Sequence, residues 1–354
     1  MGRKKVVVVG AGPSGLVALK EMLEAGHDAV CIERSHVIGG VFSTLAESAY
    51  DSLYLTISNV FMAYSDFPCK EEYIKYSTKE EYARYLEAYA ANFGLCEKIR
   101  FETEVATAKL DDDDAADAAA GGAKWTIDVR SVKDPRKTTR MADVDSLVVC
   151  TGSNQVPKKT PANIAKFGGE ILHSSEFRNA ADFKGKRALI VGVGESAADI
   201  ASEISEVAAR TTVWSRRPVL VAPRYLQMAM TEPNFDEFEC LGDESTWRRC
   251  AVGDFLEMAT TSRANNVIPP WIYGLIRHAM WKALSKQTAK PAMRMFAKHC
   301  EFATNYPGVD AGTYLRADQA GWVTKNCRLM QMLGTGAVEL IVARDAVFGG
   351  DDDD

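Results

Sequence analysis

Three glycines, Gly10, Gly12 and Gly15, directly follow a run of four valines, and an acid, Glu33, stands 23 residues after the first of them. The spacing is G-x-G-x-x-G. Between a strand and a helix, the first glycine permits the turn, the second lets backbone approach a pyrophosphate, and the third allows close helix–strand packing. The helix that starts at Pro13 and Ser14 adds open N–H groups and a positive partial charge. A carboxylate at Glu33, ending the next strand, can accept from both ribose hydroxyls and repels a 2′-phosphate. That chemistry suits FAD or NAD rather than NADP.

A second turn repeats the first. Gly192, Gly194 and Ala197 give G-x-G-x-x-A after another apolar strand, with Glu195 and Ser196 opening the helix. The following strand, TTVWSRR, ends in Arg216 and Arg217, read as standing where the first copy has Glu33. A guanidinium pair can hold a 2′-phosphate through charge-assisted hydrogen bonds. An acid-ended site and an arginine-ended site in one chain point to a flavin and NADPH brought together for hydride transfer.

These residues need strands and helices to hold them. Val6–Val9 reads as a strand buried on both faces, Gly26 as the stop of the helix after it, and Val30–Glu33 as the next strand. Residues 78–93 read as a helix with Thr78 as N-cap and acids in its first turn. IRFETEVATAKL and KWTIDVR read as strands flanking an acidic, low-complexity loop, DDDDAADAAAGGA. SLVVCTG is a further buried strand, ending at Gly152. Residues 186–217 repeat strand, turn, helix, strand. The fold class expected is α/β, with two Rossmann-like dinucleotide-binding domains, an NADPH domain inserted in an FAD domain.

The whole composition agrees with this. The chain has 354 residues, 47% of them apolar, and a net charge of −6. That length suggests two domains, and the lack of a basic patch argues against nucleic acid as a partner. Cys31, Cys69, Cys96, Cys150, Cys240, Cys250, Cys300 and Cys327 form no CxxC pair. This spacing argues against a zinc ribbon or a dithiol redox centre, and no metal site is expected. The thiols read as reduced, in a cytoplasmic setting. The N-terminus enters a strand at once and lacks a secretory signal pattern. The apolar run VIPPWIYGLI is half the length of a spanning helix.

Residues 167–177, FGGEILHSSEF, lie between the two glycine turns. Phe167, Gly169, His173 and Phe177 fit F-x-G-x-x-x-H-x-x-x-[FY], and this resembles the signature of flavin-containing monooxygenases. IERSHVIGGVF resembles that family's E-x5-GG-x-W, with Phe42 in place of Trp and with Gly39 and Gly40 approaching the flavin. LTISNVFMAYSDFP resembles the family stretch in which an asparagine, here Asn59, precedes Ser-Asp-Phe-Pro. CTGSNQVP resembles the strand end that leads into the family's NADPH domain. The resemblance covers residues 4–225 and fades beyond them.

The resemblance implies FAD and NADPH as cofactors. It places Gly10, Gly12, Pro13, Ser14, Gly15, Glu33, Arg34, Gly39, Gly40, Val41, Phe42, Thr151 and Gly152 around them, together with Gly192, Gly194, Glu195, Ser196, Arg216 and Arg217. It implies that Asn59 sits by the flavin and helps hold the nicotinamide and the oxygenated flavin. The implied reaction uses O2 and a C4a-hydroperoxyflavin to oxygenate an amine nitrogen or a sulfide sulfur. Phe167, Gly169, His173 and Phe177 are read as structural: Gly169 permits a turn, the aromatics pack it, and His173 ties it down. Phe177 favours the heteroatom-oxygenating group, since the Baeyer–Villiger relatives usually carry Trp there. An indole-pyruvate-type monooxygenase shares most of the motifs. A flavin disulfide reductase would need a CxxC after the first turn.

The expected layout is an FAD domain over 1–160, an NADPH domain with a helical insertion over 161–330, and the start of a return to the FAD domain over 331–354, cut short. A truncated, non-catalytic dinucleotide-binding protein is the reading from another class. In the insertion, PPWIYGLIRHAMWKALSK reads as a helix after Pro270. It reads as a buried or substrate-channel helix. Its alternative use is a membrane-surface contact through Arg277, Lys282 and Lys286.

Overall fold

A computed structural model describes residues 2–43, 45–46, 49–70, 75–110, 124–153, 156–160, 164–216, 220–222 and 323–344. The chain divides into two compact units, Met1–Ala49 with Lys79–Lys158, and Tyr50–Thr78 with Lys159–Asp354. Arg217 and the sequence-predicted helix after Pro270, with Arg277, Lys282 and Lys286, lie outside the described residues, as does the acidic loop 111–123.

The first unit is built on β1 (Lys5–Val9), where Val6, Val7 and Val8 are all buried. Branched side chains on both faces suit a central strand. β1 pairs in parallel with β2 (Asp28–Ile32) on one side and with β7 (Ser146–Val149) on the other. β2 pairs with the short β3 (Ile99–Arg100), giving the order β3-β2-β1-β7. Helix α1 (Pro13–Glu24) connects β1 to β2, with Leu16 and Leu19 buried. Proline at its first position costs no hydrogen bond. Gly26, at φ +81°, receives the chain as it leaves, its N–H on the Leu23 carbonyl at 3.0 Å.

A three-stranded antiparallel sheet follows, β4 (Thr103–Leu110), β5 (Trp125–Ser131) and β6 (Thr138–Val144). Its Ile127, Val129, Met141 and Val144 close over Val7 and Ile32 to form the core of this unit.

The second unit has its own three-stranded parallel sheet, in the order Val338–Val342 (β12), Arg210–Ser215 (β9), Arg187–Val191 (β8). β8 (Arg187–Val191) leads through helix α4 (Glu195–Ser205) to β9 (Arg210–Ser215). The pair β10 (Leu220–Ala222) and β11 (Val323–Lys325) precedes helix α5 (Cys327–Thr335), which packs on α4. Asn326 caps α5 by accepting from Leu329 N at 2.7 Å, and Gly336 at φ +78° turns the chain into β12 (Val338–Val342). The sequence reading sends residues 331–354 back toward the first domain. Within that stretch β12 pairs in parallel with β9 in the second unit, while residues 345–354 lie outside the described residues. The cause is register: Val338 and Leu340 drop into the same buried layer as Val213.

The stretch 50–78 belongs to this second unit. It carries the four-residue helix α2 (Asn59–Met62), while α3 (Lys79–Asn92) belongs to the first unit. Tyr50 joins Phe177, Ala180, Ile200 and Ile204 in the second core.

Candidate functional site

The first glycine turn is set by backbone contacts. Gly10 has φ +98°, and its N–H donates to the Ile32 carbonyl at 2.8 Å. A Cβ on Gly15 would stand 1.7 Å from the Gly10 carbonyl oxygen, and one on Gly10 would stand 2.5 Å from the Cys150 carbonyl oxygen. These two glycines are therefore required by the protein's own packing. Gly12 is different: its Cβ would meet only Gly40 backbone, at 3.7 Å, an ordinary contact. A residue that the fold tolerates but the sequence leaves bare fits a group that must approach backbone closely, as a pyrophosphate does.

Gly39 and Gly40 come to the same place. The Gly39 N–H donates to the Ala11 carbonyl at 3.0 Å, and both glycines hold positive φ. Val41 and Phe42 continue from them in a 3-10 turn, where the Phe42 ring meets Tyr82 edge-on, centroids 5.1 Å apart. Thr151 and Gly152 lie exposed just past β7, whose end is fixed by Cys150 N on the Val9 carbonyl. All of these residues stand at the carboxyl ends of parallel strands, where open α/β sheets bind ligands.

The Glu33 carboxylate bends back onto the turn. Oε2 accepts from Ala11 N at 2.6 Å and Oε1 from Ser35 N at 2.7 Å. Each oxygen takes one backbone N–H and has capacity for another donor, so ribose hydroxyls can bond here. Pro13 is the first residue of α1; Ser14 and Arg34 are exposed beside the turn. Under this site the Cys31 thiol is pushed up to about 12, first by burial and then by the Glu33 charge and Cys150. Burial also raises Cys150. Neither thiol is primed as a nucleophile.

The second turn copies the first. Gly192 has φ +106°, and its N–H donates to the Trp214 carbonyl at 2.8 Å. The offset from glycine to acceptor is the same as from Gly10 to Ile32. Glu33 therefore corresponds to Ser215, and Arg34 to Arg216. The sequence reading sets the arginine pair at the Glu33 position; the register corrects it by one residue. A small hydroxyl takes the acid's place, and the exposed Arg216 follows it. Nothing at this position repels a 2′-phosphate.

Gly194 caps α4 at φ −94°, a conformation open to any residue, and a Cβ there or at Gly192 meets no described atom within 4 Å. The bare backbone at Gly194 thus serves no packing purpose among the described residues. It fits a close-lying pyrophosphate at the helix N-terminus, where Glu195 and Ser196 begin α4.

Asn59 is buried in the second unit. Its N–H donates to the Lys75 carbonyl at 2.9 Å, and its Oδ1 accepts from Lys75 N at 3.1 Å. The structure gathers the first set of predicted residues at one turn and the described members of the second set at another, and it holds Asn59 in the same unit as the second set.

The stretch 167–177 is partly as expected. Phe177 is buried, with its ring against Tyr50 and Phe183. Phe167 is 46% exposed, so it does not join that core. Its ring instead covers Gly169, where a Cβ would stand 2.4 Å from it. Gly169 is bare because a ring lies on it, not because φ is positive. His173 is exposed and acts locally, its Nδ1 accepting from Ser175 N at 3.1 Å, with Glu176 bonded to its N–H.

Sequence reasoning missed Tyr50, Ser52, Asp199, Glu203 and Asn326, which form a polar network around α4. Their partners lie more than 120 residues apart, and only Asp199 and Glu203, at i and i+4, leave a local trace. Among the described residues no group of three or more His, Cys, Asp or Glu could hold a metal, and no helix is long and apolar enough to cross a membrane.

A family model for FMO-like, flavin-binding monooxygenase-like proteins matches residues 3–231. A 4-hydroxybenzoate brominase (decarboxylating) of Marinomonas mediterranea is 42% identical over 226 residues, 63% of this chain and 41% of that protein. A mouse dimethylaniline monooxygenase (N-oxide-forming) is 35% identical over 230 residues, 62% of this chain and 41% of its own length. Among solved structures, OTEMO in complex with FAD and NADP aligns with TM-score 0.58 at 19% identity, covering 96% of this chain and 66% of that one. The chain spans about two fifths of the length of the curated relatives it matches.

Proposed function

Because the chain belongs to the flavin-binding monooxygenase-like family, we propose that it is an NADPH- and FAD-dependent monooxygenase that transfers one oxygen atom of O2 to a soft nucleophile, an amine nitrogen or a sulfide sulfur. The observation that carries this is the pair of glycine turns, alike in the hydrogen bond that the first glycine of each donates to the end of the next strand, one ended by Glu33 and the other by Ser215 and Arg216. FAD and NADPH are the cofactors. FAD takes the carboxylate-ended turn of the first unit. NADPH takes the second, with Arg216 on its 2′-phosphate and α4 on its pyrophosphate. On this reading both α/β units would be Rossmann-like dinucleotide-binding domains.

When bound, the flavin supplies hydride acceptance and the activation of O2. The protein orients, excludes water and stabilises. Glu33 anchors the ribose of FAD; Gly12 and Gly40 admit its pyrophosphate. Asn59, whose Oδ1 accepts from Lys75 N, would use its NH2 group as a donor toward the nicotinamide and the flavin. No side-chain nucleophile is needed.

The residue type at Phe177, where Baeyer–Villiger relatives usually carry Trp, favours the heteroatom-oxygenating reading. The 42% identity to a brominase favours one second reading, oxidation of bromide with decarboxylating bromination of a hydroxybenzoate. The same flavin and the same O2 would serve both.

An anaerobic titration with NADPH, following bound flavin absorbance, tests the core of the reading. Bleaching by NADPH, with far less by NADH, supports it. Failure of the purified chain to take up FAD would sink it. Under oxygen, a thioether or tertiary amine set against bromide plus 4-hydroxybenzoate then separates the two chemistries.

A further inference from the structure

α4 grips its own unit at two levels. At its start, the Thr324 hydroxyl donates to the Val193 carbonyl, inside the glycine turn, at 2.9 Å. Two residues along, the Asn326 NH2 donates to Asp199 Oδ1 at 2.6 Å, while the Asn326 oxygen caps α5. Asp199 Oδ2 accepts from the Tyr50 hydroxyl at 2.6 Å. One helical turn further, Glu203 accepts from the Ser52 hydroxyl at 2.6 Å and from Ala180 N at 3.0 Å. Thr324 and Asn326 are almost wholly buried, and Tyr50 is 4% exposed. A continuous polar path therefore runs from the Gly192–Gly194 turn to Tyr50.

Tyr50 opens the segment that carries Asn59. That segment is tied at its far end by Leu55 N on the Ser77 carbonyl and by the double bond of Asn59 with Lys75. At its near end it is held to α4 by Tyr50 and Ser52. A carboxylate shared by two donors in a partly buried site is worth more than a neutral contact. The glycine turn and the Asn59 segment are thus joined through this carboxylate.

We propose that Asp199 is a positioning residue that transmits nucleotide occupancy at the Gly192–Gly194 turn, through Tyr50, to the segment bearing Asn59. The proposal rests on the reading of that turn as the NADPH site and of Asn59 as facing the reacting groups. Coenzyme bound at α4 steadies Asn59 before oxygen reacts, and its release loosens Asn59. Asp199 touches neither substrate nor cofactor in this scheme; it acts through Tyr50.

The test is hydrogen–deuterium exchange on the full chain with and without NADP+, for the wild type, Tyr50→Phe and Asp199→Ala. Tyr50→Phe keeps the ring packed on Phe177 and removes only the hydroxyl, so it is the variant expected to fold. In the wild type, NADP+ slows exchange over residues 192–198 and also over 55–62. In Tyr50→Phe, protection at 192–198 persists, while that at 55–62 falls about tenfold, the scale of one hydrogen bond to a charged group. Asp199→Ala gives the same split. A second reading comes from NADPH-dependent peroxide release: Tyr50→Phe raises it, and adds nothing further in an Asn59→Leu background. Protection at 192–198 with none at 55–62 in the wild type overturns the transmission alone. No protection at 192–198 overturns the nucleotide reading of that turn, and the transmission with it.

Discussion

Asn59 and Lys75 hold each other by a reciprocal pair of hydrogen bonds, Asn59 N to the Lys75 carbonyl at 2.9 Å and Lys75 N to Asn59 Oδ1 at 3.1 Å. The carboxamide stands in for a stretch of backbone. Its oxygen serves structure, and the proposed mechanism uses its NH2 group.

Those two tasks can be separated by mutation. Asn59→Leu leaves the buried Lys75 N–H without its acceptor, at a cost of about 1–3 kcal/mol, and the unfolding midpoint drops by several degrees. Asn59→Asp keeps the acceptor and loses the donor, so its midpoint stays closer to the wild type. Both variants keep FAD and both release more peroxide per NADPH consumed. Full coupling in Asn59→Asp would remove the NH2 group from the proposed mechanism.

The glycines divide in the same manner. Gly15→Ala puts a methyl group 1.7 Å from a carbonyl oxygen, so the turn cannot close and the chain is expected to fail in folding. Gly12→Ala meets only a 3.7 Å contact: the protein folds but loses FAD. Gly194→Ala meets no described atom within 4 Å, so it folds, retains FAD and binds NADPH at least tenfold more weakly. Flavin content by absorbance, beside NADP+ affinity, reads out all three. Normal NADP+ affinity in Gly194→Ala would deny the pyrophosphate that position.

The glycine turns were legible because their requirements are local. Gly10 and Gly192 need positive φ, and strand, turn and helix follow within a few residues. The Glu33 end was legible for the same reason. The arginine end was read one residue early, because TTVWSRR contains no acid to mark the register, which the β8–β9 pairing and the Gly192–Trp214 hydrogen bond fix. Phe167 and Phe177 look equivalent in sequence, yet one is 46% exposed and the other is core, since the partners of Phe177, Tyr50 and Phe183, are chosen by tertiary packing. The return of β12 to β9 was illegible. A buried parallel strand carries no mark of which sheet it will join.

The coenzyme preference follows from the corrected register. Ser215 stands where Glu33 stands in the first site, and Arg216 follows. Ser215→Glu with Arg216→Ala should turn the second site toward NADH. Losing a charge-assisted bond and gaining a repulsive carboxylate should cut kcat/KM for NADPH about a hundredfold. NADH turnover should hold or rise. Flavin bleaching rates with each coenzyme give the ratio, and an unchanged ratio would place the 2′-phosphate elsewhere.

Cys31 lies beneath the first site with no exposed surface and a thiol raised from 9.0 to about 12, chiefly by burial and secondly by Glu33. The folded chain holds this proton more tightly than the unfolded chain. The neutral thiol's contribution is therefore intact below pH 9. It falls as pH rises from there toward 12, because the unfolded state ionises first. The slope approaches about 1.4 kcal/mol per pH unit within that window. Other groups titrate there too, so the measurement is a difference: denaturant unfolding of the wild type and of Cys31→Ala at pH 8, 9 and 10. The stability advantage of the wild type should hold from pH 8 to just below 9 and shrink between 9 and 10. In parallel, an aromatic disulfide reagent at pH 8 should leave Cys31 unmodified in the native protein and label it after unfolding. A constant advantage across pH 9–10, or rapid native labelling, would mean that the thiolate is accommodated under the flavin site and that burial is not what governs this thiol.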